Sequence, residues 1–139
     1  MRTRERGQAA VEFALVILFV IFLFLGMLEM IFLMYTYNAL TGSAKEGVRY
    51  AIVHGSGNTT PSGPGTSDPK GNQVVLWVNR FTALSMQGQG ISVNVQYPDG
   101  CPNPGCLVTV AITRPYRPFF GLGWPSVTIN AAANGRIMN

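Results

Sequence analysis

Phe13 to Leu28 reads FALVILFVIFLFLGML, sixteen residues without a charge, and after Glu29 the apolar character continues through Met30-Ile31-Phe32-Leu33-Met34-Tyr35. As a helix, residues 13–35 rise about 35 Å, enough to cross a hydrocarbon core about 30 Å thick. The run is apolar on every side, so it is not a surface helix with one buried stripe. A cleaved secretory signal would need a shorter apolar core followed by a small-residue cleavage site. This run is too long and passes into Glu29, Tyr35 and Tyr37 instead. The reading is a retained transmembrane anchor.

Working outward, Arg2, Arg4 and Arg6 crowd the N-terminal flank with Glu5 as their one opposing charge. Basic residues beside a span stay on the cytoplasmic side, which predicts an N-in, single-pass topology with the chain after about Tyr37 outside the cytoplasm. Tyr35 and Tyr37 fall where an interfacial aromatic belt is expected. Two carboxylates need an account. Glu29, near the outer end, can reach the interface or a polar neighbour. Glu12 precedes the uninterrupted run by one residue, and an acid within a span is costly and points to function. It could equally lie at the interface among the arginines, and composition does not separate the two.

The whole chain agrees with an anchored protein. It has 139 residues, 47% of them hydrophobic and 12% charged, with one His and two Cys. That charged share is about half the usual one, and disorder would need the opposite composition. The formal net charge of +4 is divided between the N-terminal arginines and scattered residues beyond the span. No basic run tracks a phosphate backbone, so nucleic acid is excluded as a partner.

The stretch Arg6-Gly7-Gln8-Ala9-Ala10-Val11-Glu12-Phe13-Ala14-Leu15-Val16 closely resembles the N-terminus of TadE-like proteins, the minor pseudopilins of bacterial tight-adherence (Tad) pili. In that family, as in type IV prepilins, a basic leader ends in Gly and a prepilin peptidase cuts after it. The resemblance implies a cut between Gly7 and Gln8. It makes Glu12 the fifth residue of the mature chain and Phe13 the aromatic that follows it. In related filaments this Glu is thought to meet the N-terminal amine of a neighbouring subunit. Such a pair would favour one axial register, because an unpaired charge among apolar helices is penalised. Gly42 to Ala51 is similar to the family's helical continuation, and LVTVAITRPYRPFFGLGWPSVTINAAANGR, near the end, to its usual finish. The implied partners are the inner membrane, the prepilin peptidase, other pilin and pseudopilin subunits and the assembly platform. The implied place is the bacterial inner membrane, with the surface pilus as a further location.

Beyond the span, residues 38–53 read as a continuation of the helix. Ala39, Ser43, Gly47 and Ala51 recur every four residues as a small-residue stripe, beside the more apolar Leu40, Ala44, Val48 and Ile52. The apolar stripe predicts packing on the protein's own sheet; the small stripe serves either that packing or contact with another subunit. Gly42 and Gly47 each weaken a helix by about 1 kcal/mol, which leaves a break there open. Residues 54–73, rich in Gly and Pro, read as a flexible loop. Val74 to Met86 has the spacing of a short amphipathic helix, with Val74, Val78, Phe81 and Leu84 on one face. Ile91 to Tyr97 and Leu107 to Thr113 alternate as half-buried strands, and Val127 to Asn130 begins a third.

Cys101 and Cys106 lie in the turn-rich loop between the first two strands. On the oxidising side of the membrane a loop-closing disulfide is their expected state. A metal would need more ligands than two cysteines and a distant His54. Arg114 to Pro125 reads as a Pro-rich loop whose Tyr116, Phe119, Phe120 and Trp124 either cap the core or present a contact patch.

The expected architecture is α+β and pilin-like. A long N-terminal helix packs against a small antiparallel sheet of about three strands, divided as 1–7 leader, 8–37 transmembrane helix, 38–53 helix continuation, 54–73 loop and 74–139 extracytoplasmic region. The functional expectation is a structural pseudopilin needed for Tad pilus assembly, with no cofactor, metal or small-molecule substrate. The rival is a membrane-anchored binding module that never enters a pilus and uses the Tyr116–Trp124 loop for recognition. No nucleophile, base and orienting group can be assembled from one His and two Asp in turn-like segments, so an enzyme is not expected.

Overall fold

The computed structural model describes residues 2–86, 90–118, 120 and 126–138, the side chains of 2–6 and 84–86 excepted. The fold is α+β. Helix α1 (Arg2–Val53) and helix α2 (Asn72–Met86) precede strands β1 (Ser92–Gln96), β2 (Leu107–Tyr116) and β3 (Val127–Arg136). The strands form an antiparallel meander in the order β1-β2-β3. Together with α2 they make a head that packs on the upper half of α1.

At 52 residues, α1 is about 78 Å long. It passes Gly42 and Gly47 without interruption. The hydroxyls of Thr36, Thr41 and Ser43 bond back to the carbonyls four residues earlier. What the intrinsic cost of the two glycines would loosen, the tertiary packing of that face holds. From Gly7 to Phe24 every residue is exposed, and Glu29 is the first fully buried one.

Both stripes of the upper helix face the head. Leu40, Ala44, Val48 and Ala51 join Val74 and Val78 of α2, Val108, Val110 and Ile112 of β2, and Ile129 and Ala131 of β3 in one core. The small stripe is therefore used within the chain. A Cβ built on Gly47 would lie 2.5 Å from Val78 Cγ2 and 3.2 Å from Val110 Cγ1, so this position lets α2 and β2 approach the helix backbone together. Gly135 does the same from the sheet side, 2.6 Å from Val48 Cγ1 and 3.0 Å from Ile52 Cγ2. Sequence periodicity on β3 gives no hint of that contact.

Strand β2 is longer than the alternation over 107–113 predicts, and it takes in Arg114, Pro115 and Tyr116, which had been expected in a loop. A proline is tolerated there because β1 pairs no further along β2 than Thr113, leaving Pro115 with β3 alone. The strand descends antiparallel to α1. Its start is near Ile52, where Met138 N–H donates to Ile52 O at 2.9 Å, and its end is near Glu29.

Residues 54–71 contain no helix or strand apart from the isolated bridge of Ser62 and Asp68, yet they are densely bonded. Ser62 N–H donates to His54 O at 2.7 Å and Gly63 N–H to Asp68 O at 2.8 Å. Helix α2 starts at Asn72, two residues before its apolar spacing begins, because Asp68 supplies its cap. The carboxylate accepts from Asn72 N–H and Gln73 N–H, both at 2.8 Å, satisfying two of the donors that a helix start leaves unpaired.

Candidate functional site

The chemistry-bearing residues singled out in the sequence fall in three places: the exposed start of α1, the contact of Glu29 with Tyr116, and the β1–β2 loop. Gly7, Gln8, Glu12 and Phe13 lie on the exposed part of α1, Phe13 being 67% exposed. No hydrogen bond or ion pair joins Glu12 to another described residue. A Cβ on Gly7 would meet nothing within 4 Å. Packing within this chain therefore does not require a glycine at that position, in contrast to Gly47. The most apolar stretch of α1, of mean hydropathy 2.9, is only 6% buried. One helix is thus long and apolar enough to span a membrane, and the head leaves that part of it uncovered.

Glu29 marks where the cover begins. It is 6% exposed, and Tyr116 Oη donates to its Oε1 at 2.5 Å across 87 residues of sequence. A hydrogen bond to a charged acceptor is among the stronger ones, and it stabilises a carboxylate that burial would otherwise penalise. Burial, followed by the bond to Glu29 and its negative charge, pushes the Tyr116 phenol up to about 12. The sequence places Tyr116 in a Pro-rich loop whose aromatics either cap the core or present a contact patch. Tyr116 stands instead on β2, half-buried, with its hydroxyl committed to Glu29. Phe120 is half-buried, while Phe119 and Trp124 lie outside the described residues.

Cys101 and Cys106 are joined in a disulfide with Cα atoms 6.0 Å apart. The bridge closes the β1–β2 loop. Around it, Gly105 N–H donates to Ile137 O at 2.8 Å, Ile137 N–H to Cys106 O at 2.9 Å, and Arg136 Nη1 to Gly105 O at 2.8 Å. The staple thus holds the chain's C-terminal end as well as its own loop. Asp68 forms a second knot. Burial disfavours its charge, but N–H donors from Gln73 and Asn72 and the Ser62 hydroxyl outweigh that and hold its carboxyl below the usual range. Ser62 also meets Tyr97 Oη at 3.3 Å, and the Tyr97 phenol is pushed up, chiefly by burial.

One cluster went unnoticed in the sequence. The Tyr50 ring stacks on His54 with centroids 3.9 Å apart and on Trp77 at 5.3 Å. The four-residue spacing of Tyr50 and His54 was legible as a helical neighbour pair; that Trp77 comes from α2 was not. His54 Nδ1 lies 2.8 Å from Tyr50 O, so this ring serves the end of α1. Among the described residues no group of three or more His, Cys, Asp or Glu could hold a metal ion.

Comparison with known families gives a match between residues 7–49 and the model described as TadE-like protein. No curated protein and no solved structure matches the chain. The match begins at Gly7, covers the uncovered helix with Glu12, and runs through the packed stripes to Arg49. It does not extend to the sheet, whose similarity to the family's usual finish rests on the quoted residues alone. Over residues 7–49, the chain is similar to the TadE-like proteins.

Proposed function

We propose that this chain is a structural, non-enzymatic minor pseudopilin that takes part in assembling Tad pili. It is made as a precursor, held N-in in the inner membrane of a bacterium, and trimmed between Gly7 and Gln8 by a prepilin peptidase. Residues 8–28 lie in the bilayer. They rise about 31 Å, close to the hydrocarbon thickness, and end where the head begins to cover the helix. The head stands outside the cytoplasm, where a disulfide persists. Assembly brings this helix against those of other pilin and pseudopilin subunits, and the platform in the membrane drives the process. The Glu12 carboxylate then pairs with the α-amino group of a neighbouring subunit and sets the axial register.

One observation carries the reading: the matched segment contains a long stretch of helix, residues 7–24, that no described residue of the chain covers, and Glu12 lies on it. An apolar helix left bare needs lipid or other helices around it, and a subunit that moves from membrane to filament uses both in turn. N-terminal sequencing of the membrane-extracted protein tests the processing step. A mature chain starting at Gln8 in cells with the peptidase, and an intact leader without it, is the expected result. An intact leader in both overturns the proposal.

A further inference from the structure

Three clefts meet at Tyr50, where α1, α2 and the loop of residues 54–71 come together. The first, of ≈ 550 Å³, passes Glu46 and Arg49 of α1 to reach His54 and Trp77. The second, of ≈ 340 Å³, lies on α2 between Gln73 and Arg80. The third, of ≈ 370 Å³, opens onto Thr59, Thr60 and Ser67. Trp77 is shared by the first two and Gln73 by the last two, so the clefts are successive parts of one trough. Apart from Glu46 and Arg49, its lining lies beyond the residues matched to the TadE-like family.

The floor of the trough is aromatic. The Tyr50 ring lies 13° from parallel with His54 and 23° from parallel with Trp77, and Trp77 is 43% exposed. Part of the indole is therefore open to a ligand that stacks on an aromatic face. The rim is polar and mixed in charge. Arg49 and Glu46 pair with each other at 3.7 Å, and Arg80 is matched in number by Asp68. A cationic ligand would meet Arg49 and Arg80, an anionic one Glu46 and Asp68, and a wholly apolar one would desolvate the rim without replacing its hydrogen bonds. Gln73, Thr59, Thr60 and Ser67 contribute amide and hydroxyl groups, which both donate and accept. What fits is a ligand with an apolar face and neutral hydroxyls at its edge, long enough to cross more than one cleft.

We infer that this trough binds a neutral oligosaccharide. One sugar ring lies with its C–H face on Trp77, and its neighbours along the trough hydrogen-bond to the Gln73 amide and the Thr60 hydroxyl. An apolar floor with a few placed polar groups is the usual form of a small-molecule site. On a head that stands outside the cytoplasm, the trough holds the subunit to glycan there. The binding itself needs neither the cut after Gly7 nor a given orientation of α1.

The test keeps the full chain in a detergent without a sugar headgroup and screens it on an array of neutral and acidic glycans. The best neutral oligosaccharide is then titrated by calorimetry. Binding should be saturable and confined to neutral glycans. Trp77→Ala should weaken it about tenfold, the worth of a lost stacking face. Gln73→Ala, at an exposed position, should weaken it about fivefold, the worth of one net hydrogen bond. Asn134→Ala, which lines none of the three clefts, should bind as wild type does. Unfolding transitions of all variants are recorded alongside, and Gln73→Ala keeps the test decisive where Trp77→Ala loosens the contact of α1 with α2. The absence of any saturable neutral ligand overturns the inference. So does equal affinity of wild type and either trough variant, or a preference for acidic glycans. The N-terminal sequence of the mature chain bears on the pilus proposal alone, so the two readings fail separately.

Discussion

The two halves of α1 are one uninterrupted helix with opposite solutions to the same problem. From Phe13 to Leu28 it carries large side chains, Phe, Leu, Ile and Val, that stay 42% to 67% exposed where they are most prominent. From Ala39 to Ala51 it carries Ser43, Ala44, Gly47 and Ala51, all buried. Large groups suit a helix that meets lipid tails, which conform to any surface. Small groups suit a helix that must admit a second helix and a sheet at fixed distance, since a packed protein interior does not yield. The comparison teaches that hydrophobicity alone does not say what covers a helix; side-chain size does.

Glycine substitutions test this most directly. Gly47→Leu forces a side chain into Val78 and Val110 and should cost the head about 3 kcal/mol or more, seen as a lowered unfolding transition in detergent while membrane insertion is unchanged. A stability equal to wild type would mean the stripe is not the close contact it looks to be. Tyr116→Phe removes one hydrogen bond to the buried Glu29 and should cost about 1–2 kcal/mol. Protease cleavage between head and anchor should rise in parallel. If neither changes, the Glu29–Tyr116 bond does not tie the two halves.

Cys101→Ser opens a short loop and should lose about 2 kcal/mol by the loop-entropy estimate. Labelling of free thiols in the native wild type must fail for that prediction to stand. Asp68→Asn should cost about 1 kcal/mol as a weakened cap of α2. Its pH dependence has a defined sign. The folded carboxyl is held below its ordinary value, so the unfolded chain binds more protons as pH falls. The contribution is present above the ordinary carboxylate range and is lost on acidification through the folded value. Denaturation midpoints against pH should show that acid slope in wild type and a shallower one in Asp68→Asn. Tyr116 behaves in the opposite direction. With its phenol raised to about 12, its stabilising share is intact below pH 10 and lost between 10 and 12. The smallest effect belongs to the lower half. At Gly26 a Cβ meets nothing within 4 Å, so Gly26→Ala should leave head stability within about 0.5 kcal/mol of wild type.

The sheet shows how far local pattern reaches. Alternation marked β1 and the core row Val108, Val110 and Ile112, because a strand with one buried face must alternate. It stopped short of Arg114 and Tyr116, which keep the alternation in space but not in polarity. The loop chemistry of 54–71 was legible as loop, while the role of Asp68 was not, since a carboxylate four residues before a helix is a cap only if the chain folds back to bring it there. The resemblance at residues 6–16 and the family match at 7–49 concern a stretch that needs no tertiary partner to be recognised.

That division has a physical cause. Length and apolarity decide that residues 13–35 form a helix long and apolar enough to cross a bilayer, because that reading needs only each residue and its neighbours in sequence. Spacing of cysteines between two strands decides their pairing for a similar reason: the partners are five residues apart. The tertiary structure alone decided that Gly47 and Gly135 are points of closest approach, that Tyr50, His54 and Trp77 stack, and that Glu29 is met by Tyr116. Those contacts join residues 27 to 87 positions apart, or set a fourth-residue pair against a second helix. Their energies depend on distances that no local pattern encodes.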